Sequence, residues 1–128
     1  MNPPTSPPAY DADNPFAKIL RGEIPCKKIF EDDHALAFHD IRPQAPVHVL
    51  VIPKGAYVDM DDFAGRASAA EIAGFFRAVA TAARKLGLAE GGYRFLANHG
   101  RDAHQEVFHF HVHIFGGRDL GGMIRRQE

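Results

Sequence analysis

Gln105-Glu106-Val107-Phe108-His109-Phe110-His111-Val112-His113-Ile114-Phe115-Gly116-Gly117 alternates imidazole and apolar side chains through its centre. A strand sends successive side chains to opposite faces. Phe108, Phe110, Val112 and Ile114 are therefore expected on one face, turned toward a core. His109, His111 and His113 are expected on the other, within reach of one ligand. Exposed strand faces ordinarily carry Thr, Lys or Glu. Three groups that titrate or coordinate near neutral pH, in one row on a rigid element, point to a reaction centre. On spacing alone, a histidine nucleophile and a histidine-bound zinc ion are equally open.

The rest of the chain narrows the classes. Its 128 residues make one domain with room for a single core. Net charge is −1 with neutral histidines, and no basic stripe marks a nucleic-acid partner. The lone Cys26 excludes an internal disulfide and a Cys-rich zinc site, and fits a reducing compartment. No apolar run reaches the ~18 residues of a membrane span. A basic, then apolar, leader is not seen. A soluble cytoplasmic protein is the expectation.

Along the chain, residues 1-13 carry Pro3, Pro4, Pro7 and Pro8 and read as a disordered or extended tail. Asn14-Pro15-Phe16 reads as a cap, a first-turn proline and a short helix ending at Gly22. Lys27 to Glu31 and Ala35 to His39 read as strands joined by an Asp32-Asp33 turn. Pro43 and Pro46 mark a loop before a third strand, Val47 to Ile52. Ser68 and Glu71 have capping-box spacing. Ile72, Phe75, Phe76, Val79, Ala83 and Leu86 then recur at helical intervals, up to Gly87. Tyr93 to Asn98 is a fourth strand, His99 to Gln105 a loop, and the histidine stretch the fifth strand. The expected fold is α+β, with about five antiparallel strands, one long helix and one short one.

The His-x-His-x-His run with its following Gly-Gly resembles the signature of the histidine triad (HIT) family. The likeness extends to Phe16-Ala17-Lys18-Ile19-Leu20, Ile24-Pro25, Phe30-Glu31-Asp32-Asp33, Ala37-Phe38-His39-Asp40-Ile41, Pro43-Gln44-Ala45-Pro46-Val47-His48, Val51-Ile52-Pro53-Lys54 and Asn98 through Gly117. These resemble the Hint (histidine triad nucleotide-binding) branch, bacterial type. The resemblance implies a HIT domain at 14-118, a C-terminal tail at 119-128, and a sheet continued across a homodimer.

It also implies chemistry. Family members bind purine nucleoside monophosphates and cleave a bond at the α-phosphorus. The substrates are purine nucleoside phosphoramidates and aminoacyl adenylates, with AMP or GMP as the nucleotide part. His111 would be the nucleophile and form a nucleotidyl-histidine that water hydrolyses. His113 would serve the phosphate oxygens and the leaving group. His109 would orient the row, and His48 would complete the cluster. Phe16, Ile19, Phe38 and Ile41 would sandwich the base, and His39 would belong to the nucleotide-binding residues. Asp40 would accept from both ribose hydroxyls. Asn98, Gln105 and Glu106 would line the phosphate and ribose side. No cofactor and no metal are implied, nor a membrane or nucleic-acid partner.

The chain departs from the pattern at a few positions. His104 stands where a glycine is expected, Glu106 where animal relatives place a serine, and Arg42 where a small polar residue is usual. The C-terminal segment lacks the Trp of animal members. The alternatives are dinucleoside polyphosphate hydrolysis, a histidine-bound zinc protein, and a nucleotide-binding scaffold. Nucleotidyl transfer is disfavoured, because transferases of the family carry Gln at the position of His113.

Overall fold

A computed structural model describes residues 8–124. The expected tails thus lie outside the described residues at 1–7 and at 125–128. A short helix opens the domain, α1 (Pro15–Leu20), where the Asn14 side chain accepts from the Ala17 N–H at 2.9 Å and Pro15 fills the first turn. β1 (Lys28–Glu31) and β2 (Ala35–His39) form a hairpin. Asp32 shapes its turn by accepting from the N–H groups of His34 and Ala35 at 2.8 and 2.9 Å. β3 (Val47–Pro53) continues the sheet.

Three helices follow where one was expected: α2 (Met60–Arg66), α3 (Ala69–Lys85) and α4 (Leu88–Gly91). The short α2 carries few apolar residues, so it has no periodicity to read. Its signal is the cap, Asp59 accepting from the Asp62 N–H at 2.8 Å, with acidic residues in the first turn. In α3 the capping box forms, with both Ser68–Glu71 bonds at 3.1 Å. Gly74 brings this helix down onto the His34 ring, where a Cβ would come within 2.3 Å. Gly87, at φ 73°, ends it.

β4 (Arg94–Leu96) is shorter than the expected Tyr93 to Asn98. β5 spans Val112–Gly116. The strands form one antiparallel sheet in the order β1-β2-β3-β5-β4. Its two faces bury different clusters. Ala35, Ala37, Val49, Val51, Val112 and Ile114 meet α3 through Phe75, Ala78, Val79, Ala82 and Ala83. Small alanines on β2 allow α3 to lie close. Leu36, Phe38, Leu50 and Ile52 pack on the opposite face with Phe16 of α1. The histidines share this second face.

The fifth strand begins later than the alternation suggests. Phe110, Val112 and Ile114 are buried on the α3 face as expected, but Phe108 is 39% exposed and His109 and His111 precede the ladder. The cause lies on β3. The last β3–β5 pair is Val51 with Val112, and β3 ends at Pro53, which has no N–H to offer. Phe110 instead donates its N–H to the Tyr57 carbonyl at 2.7 Å.

Candidate active site

The row of histidines is built from β5, the turn before it, and β3. On β5, His113 sits opposite Leu50; on β3, His48 sits opposite Phe115. His113 stacks on Phe115 with ring centres 5.7 Å apart, and His48 lies 4.3 Å from the same ring. Phe16 stands edge-on to His111 at 4.9 Å. His48, His109 and His111 are buried, and His113 is half-buried.

Their hydrogen bonds determine which nitrogen carries each proton, because a carbonyl can only accept and a backbone N–H only donate. His111 Nδ1 lies 2.7 Å from the His109 carbonyl, so Nδ1 carries the proton and Nε2 presents a bare lone pair. His109 Nε2 donates to the Pro53 carbonyl at 2.9 Å, leaving Nδ1 to accept from the Tyr10 hydroxyl at 2.7 Å. His48 Nδ1 accepts from the Gln44 N–H at 3.1 Å. Its Nε2–H therefore donates to His113 Nδ1 at 2.9 Å, and His113 Nε2 keeps its N–H as a hydrogen-bond donor. Asp40 Oδ2 stands 3.4 Å from the same His48 nitrogen.

Burial penalises the charged imidazolium. It pushes His109 down to about 4, and His113 to about 4 with further help from His111 and His48. It also lowers His111, against the opposing pull of the His109 carbonyl, Asp40 and Glu106. His48 moves down by burial, opposed by Asp40. At neutral pH the cluster is uncharged, which removes the repulsion that four adjacent imidazoliums would feel.

Asp40, His48 and His113 each bring a donor atom within 4.8 Å of the others. Their protons do not suit a cation. With the Gln44 N–H on His48 Nδ1, coordination through Nε2 would require an imidazolate.

The remaining expected residues fall into two groups. Phe16 and Phe38 pack edge to face at 5.7 Å, with Ile19 against the same cluster. Asp40 follows β2, its Oδ1 accepting from the Arg42 N–H at 2.8 Å. Ile41 is 92% exposed and joins no cluster. His39 ends β2 and is exposed. It pairs with Val49, so its side chain takes the face opposite Phe38, since neighbours on a strand alternate. Asn98 is half-exposed and Glu106 exposed. Gln105 is buried, and its amide is engaged with the backbone. Oε1 accepts from the Gly100 N–H at 3.0 Å, while Nε2 donates to the carbonyls of Val58 and Val107 at 2.9 and 3.1 Å. It braces the loop that leads into the histidines. His104 occupies the left-handed region at φ 58°, the backbone a glycine would adopt there.

Sequence reasoning did not find Tyr10, because it lies in a segment read as a tail. A separate concavity of about 700 Å³ lies beside Leu88, Tyr93, Arg94 and Arg118 and holds none of the histidines.

Comparison with known proteins points the same way. The family profile described as the HIT domain matches residues 21–120. An uncharacterized 13.2 kDa HIT-like protein of Azospirillum brasilense is 68% identical over 117 residues, covering 91% of this chain and 96% of its own. The purine nucleoside phosphoramidase of Escherichia coli (strain K12) is 41% identical over 109 residues, covering 85% of this chain and 91% of its own. Among solved structures, a HIT family hydrolase from Clostridium thermocellum superposes with a TM-score of 0.81 at 39% identity, covering 88% of this chain and 97% of that one.

Proposed function

We propose that this chain, a member of the HIT domain family, hydrolyses purine nucleoside 5′-phosphoramidates or aminoacyl adenylates through His111. The observation that carries the reading is the bond from His111 Nδ1–H to the His109 carbonyl. It leaves Nε2 of a buried, neutral imidazole unprotonated, with its lone pair free to act as a nucleophile.

In the first displacement, the Nε2 lone pair forms a bond to the α-phosphorus and the bond from phosphorus to the leaving group breaks. A departing amine takes up one proton from solvent, since each neutral imidazole of the cluster carries only one N–H; a departing amino-acid carboxylate needs none. The positive charge that develops on the His111 ring is shared with the His109 carbonyl through Nδ1–H. In the second displacement, water attacks phosphorus, the P–Nε2 bond breaks, and the water gives up one proton. The products are the nucleoside monophosphate and the free amine from a phosphoramidate, or the amino-acid carboxylate from an aminoacyl adenylate. His113 Nε2–H is the donor for the phosphoryl oxygens and the leaving group, held in place by His48.

On this reading Asp40 accepts from the ribose hydroxyls. Phe16, Ile19, Phe38 and Ile41 flank the base. Asn98 and Glu106 border the phosphate side, where Gln105 steadies the loop. We also infer a homodimer. β4 is the last strand of the sheet, and it exposes Phe95 at 53% and Leu96 at 36%. Cys26 as the single cysteine favours a cytoplasmic setting.

The test is turnover of adenosine 5′-phosphoramidate to AMP by the purified chain, before and after exhaustive chelation. Equal activity in both is expected. Activity lost to chelator and restored by zinc would favour a metal site. Binding of AMP without turnover would favour a scaffold.

A further inference from the structure

We propose that Tyr10, on the segment before α1, is a positioning residue for the histidine row, its hydroxyl fixing the ring of His109 and through that residue the orientation of His111. The proposal rests on the reading of His111 as the nucleophile.

The bonds run in series. His109 is fully buried, so both of its ring nitrogens need partners. The Pro53 carbonyl takes Nε2–H, which leaves Nδ1 as an acceptor. The donor that meets it is the Tyr10 hydroxyl, 2.7 Å away and 99 residues distant in the chain. The two rings meet edge-on, with centres 5.6 Å apart. The carbonyl of this same His109 receives His111 Nδ1–H at 2.7 Å. Tyr10 lies outside residues 21–120, which match the family profile.

Without the hydroxyl, His109 Nδ1 is buried and unsatisfied. The ring can then gain relief by turning or by moving its proton to Nδ1, and either change breaks the bond to Pro53. The backbone that holds His111 moves with it. The Tyr10 hydroxyl is committed to His109, so its loss acts on turnover and leaves nucleotide binding in place. A residue that merely packs the segment would behave differently, because phenylalanine keeps the ring and only removes the oxygen.

The experiment compares the full-length wild type with Tyr10→Phe. With adenosine 5′-phosphoramidate, kcat is expected to fall roughly tenfold, as for outer partners of reacting groups, while KM stays within about twofold. Nitrogen-15 spectra of the imidazoles should show His109 leaving its Nε2–H form and the hydrogen-bonded Nδ1 proton of His111 broadening. Unchanged His109 and His111 signals would overturn the proposal, and so would an unchanged kcat in an active enzyme. The spectra need no turnover. If the wild type fails to cleave phosphoramidates, the reading of function falls, and the His111 signal alone decides the role of Tyr10.

Discussion

His48 donates its Nε2–H to Nδ1 of His113 across 2.9 Å, and the Gln44 N–H on the far side of the His48 ring sets the direction of that bond. His113 is thereby kept with a donor at Nε2 and with its ring fixed on Phe115.

Replacing His48 with alanine should free that ring and restore ambiguity between its two tautomers. The expected loss in kcat is on the order of 10–100-fold, with KM little changed, as for a group that orients a reacting side chain. Steady-state kinetics on an adenosine phosphoramidate would check it. A purely KM effect would place His48 in nucleotide binding instead.

Acid should destabilise the protein before its carboxylates titrate. His109 and His113 titrate near 4 in the fold, against an ordinary value of 6.5. Between those values the unfolded chain binds more protons, so stability is complete above about 6.5 and is lost as pH falls toward 4. At pH 5, these two residues alone give an uptake of about two protons on unfolding. Burial moves His48 and His111 in the same direction. Denaturant midpoints should fall steadily from pH 7 to pH 5. A flat profile over that window would contradict the buried, neutral cluster.

Asp40→Ala should weaken ribonucleotides in particular. A carboxylate that accepts from both ribose hydroxyls is worth on the order of 1–3 kcal/mol. The wild type should therefore discriminate against a 2′-deoxy substrate far more than the variant does. Equal discrimination in the two proteins would remove Asp40 from ribose recognition.

The homodimer can be tested at α3. Phe75 is fully buried beneath that helix, whereas its neighbour Phe76 is half-buried, so in the inferred dimer Phe76 is the one available to a partner. Phe76→Glu should convert the protein to a monomer in sedimentation and lower its activity, because β4 leads into Asn98. A wild-type monomer at micromolar concentration would reject the dimer.

Much of this architecture could be read from the sequence, for local reasons. Ser68, Glu71 and the apolar spacing from Ile72 to Leu86 announce α3 without reference to any other element. The period of two in Phe110-His111-Val112-His113 correctly separates the core face from the histidine face. The same pattern runs past the true end of the ladder, because the end is set by Pro53 on a strand more than fifty residues away. Alternation also separates neighbours at the end of β2: Phe38 packs with Phe16 and Asp40 stands beside His48, while the His39 side chain takes the face opposite Phe38. The tautomers of the four histidines depend on Pro53, the His109 carbonyl and the Gln44 N–H, none of which has a sequence signature. Tyr10 was hidden in the same way, by a partner 99 residues off.

The central claim is that His111 becomes covalently bonded to phosphorus, and rapid quenching during turnover of an adenosine phosphoramidate tests it most directly. After digestion, mass spectrometry should find an adenylyl group on the peptide that carries His111, at kinetically competent times. His111→Ala should lack this adduct, still bind AMP, and turn over by several orders of magnitude more slowly. An adduct on another residue, or a His111→Ala protein that retains more than about a tenth of the wild-type rate, would contradict the account.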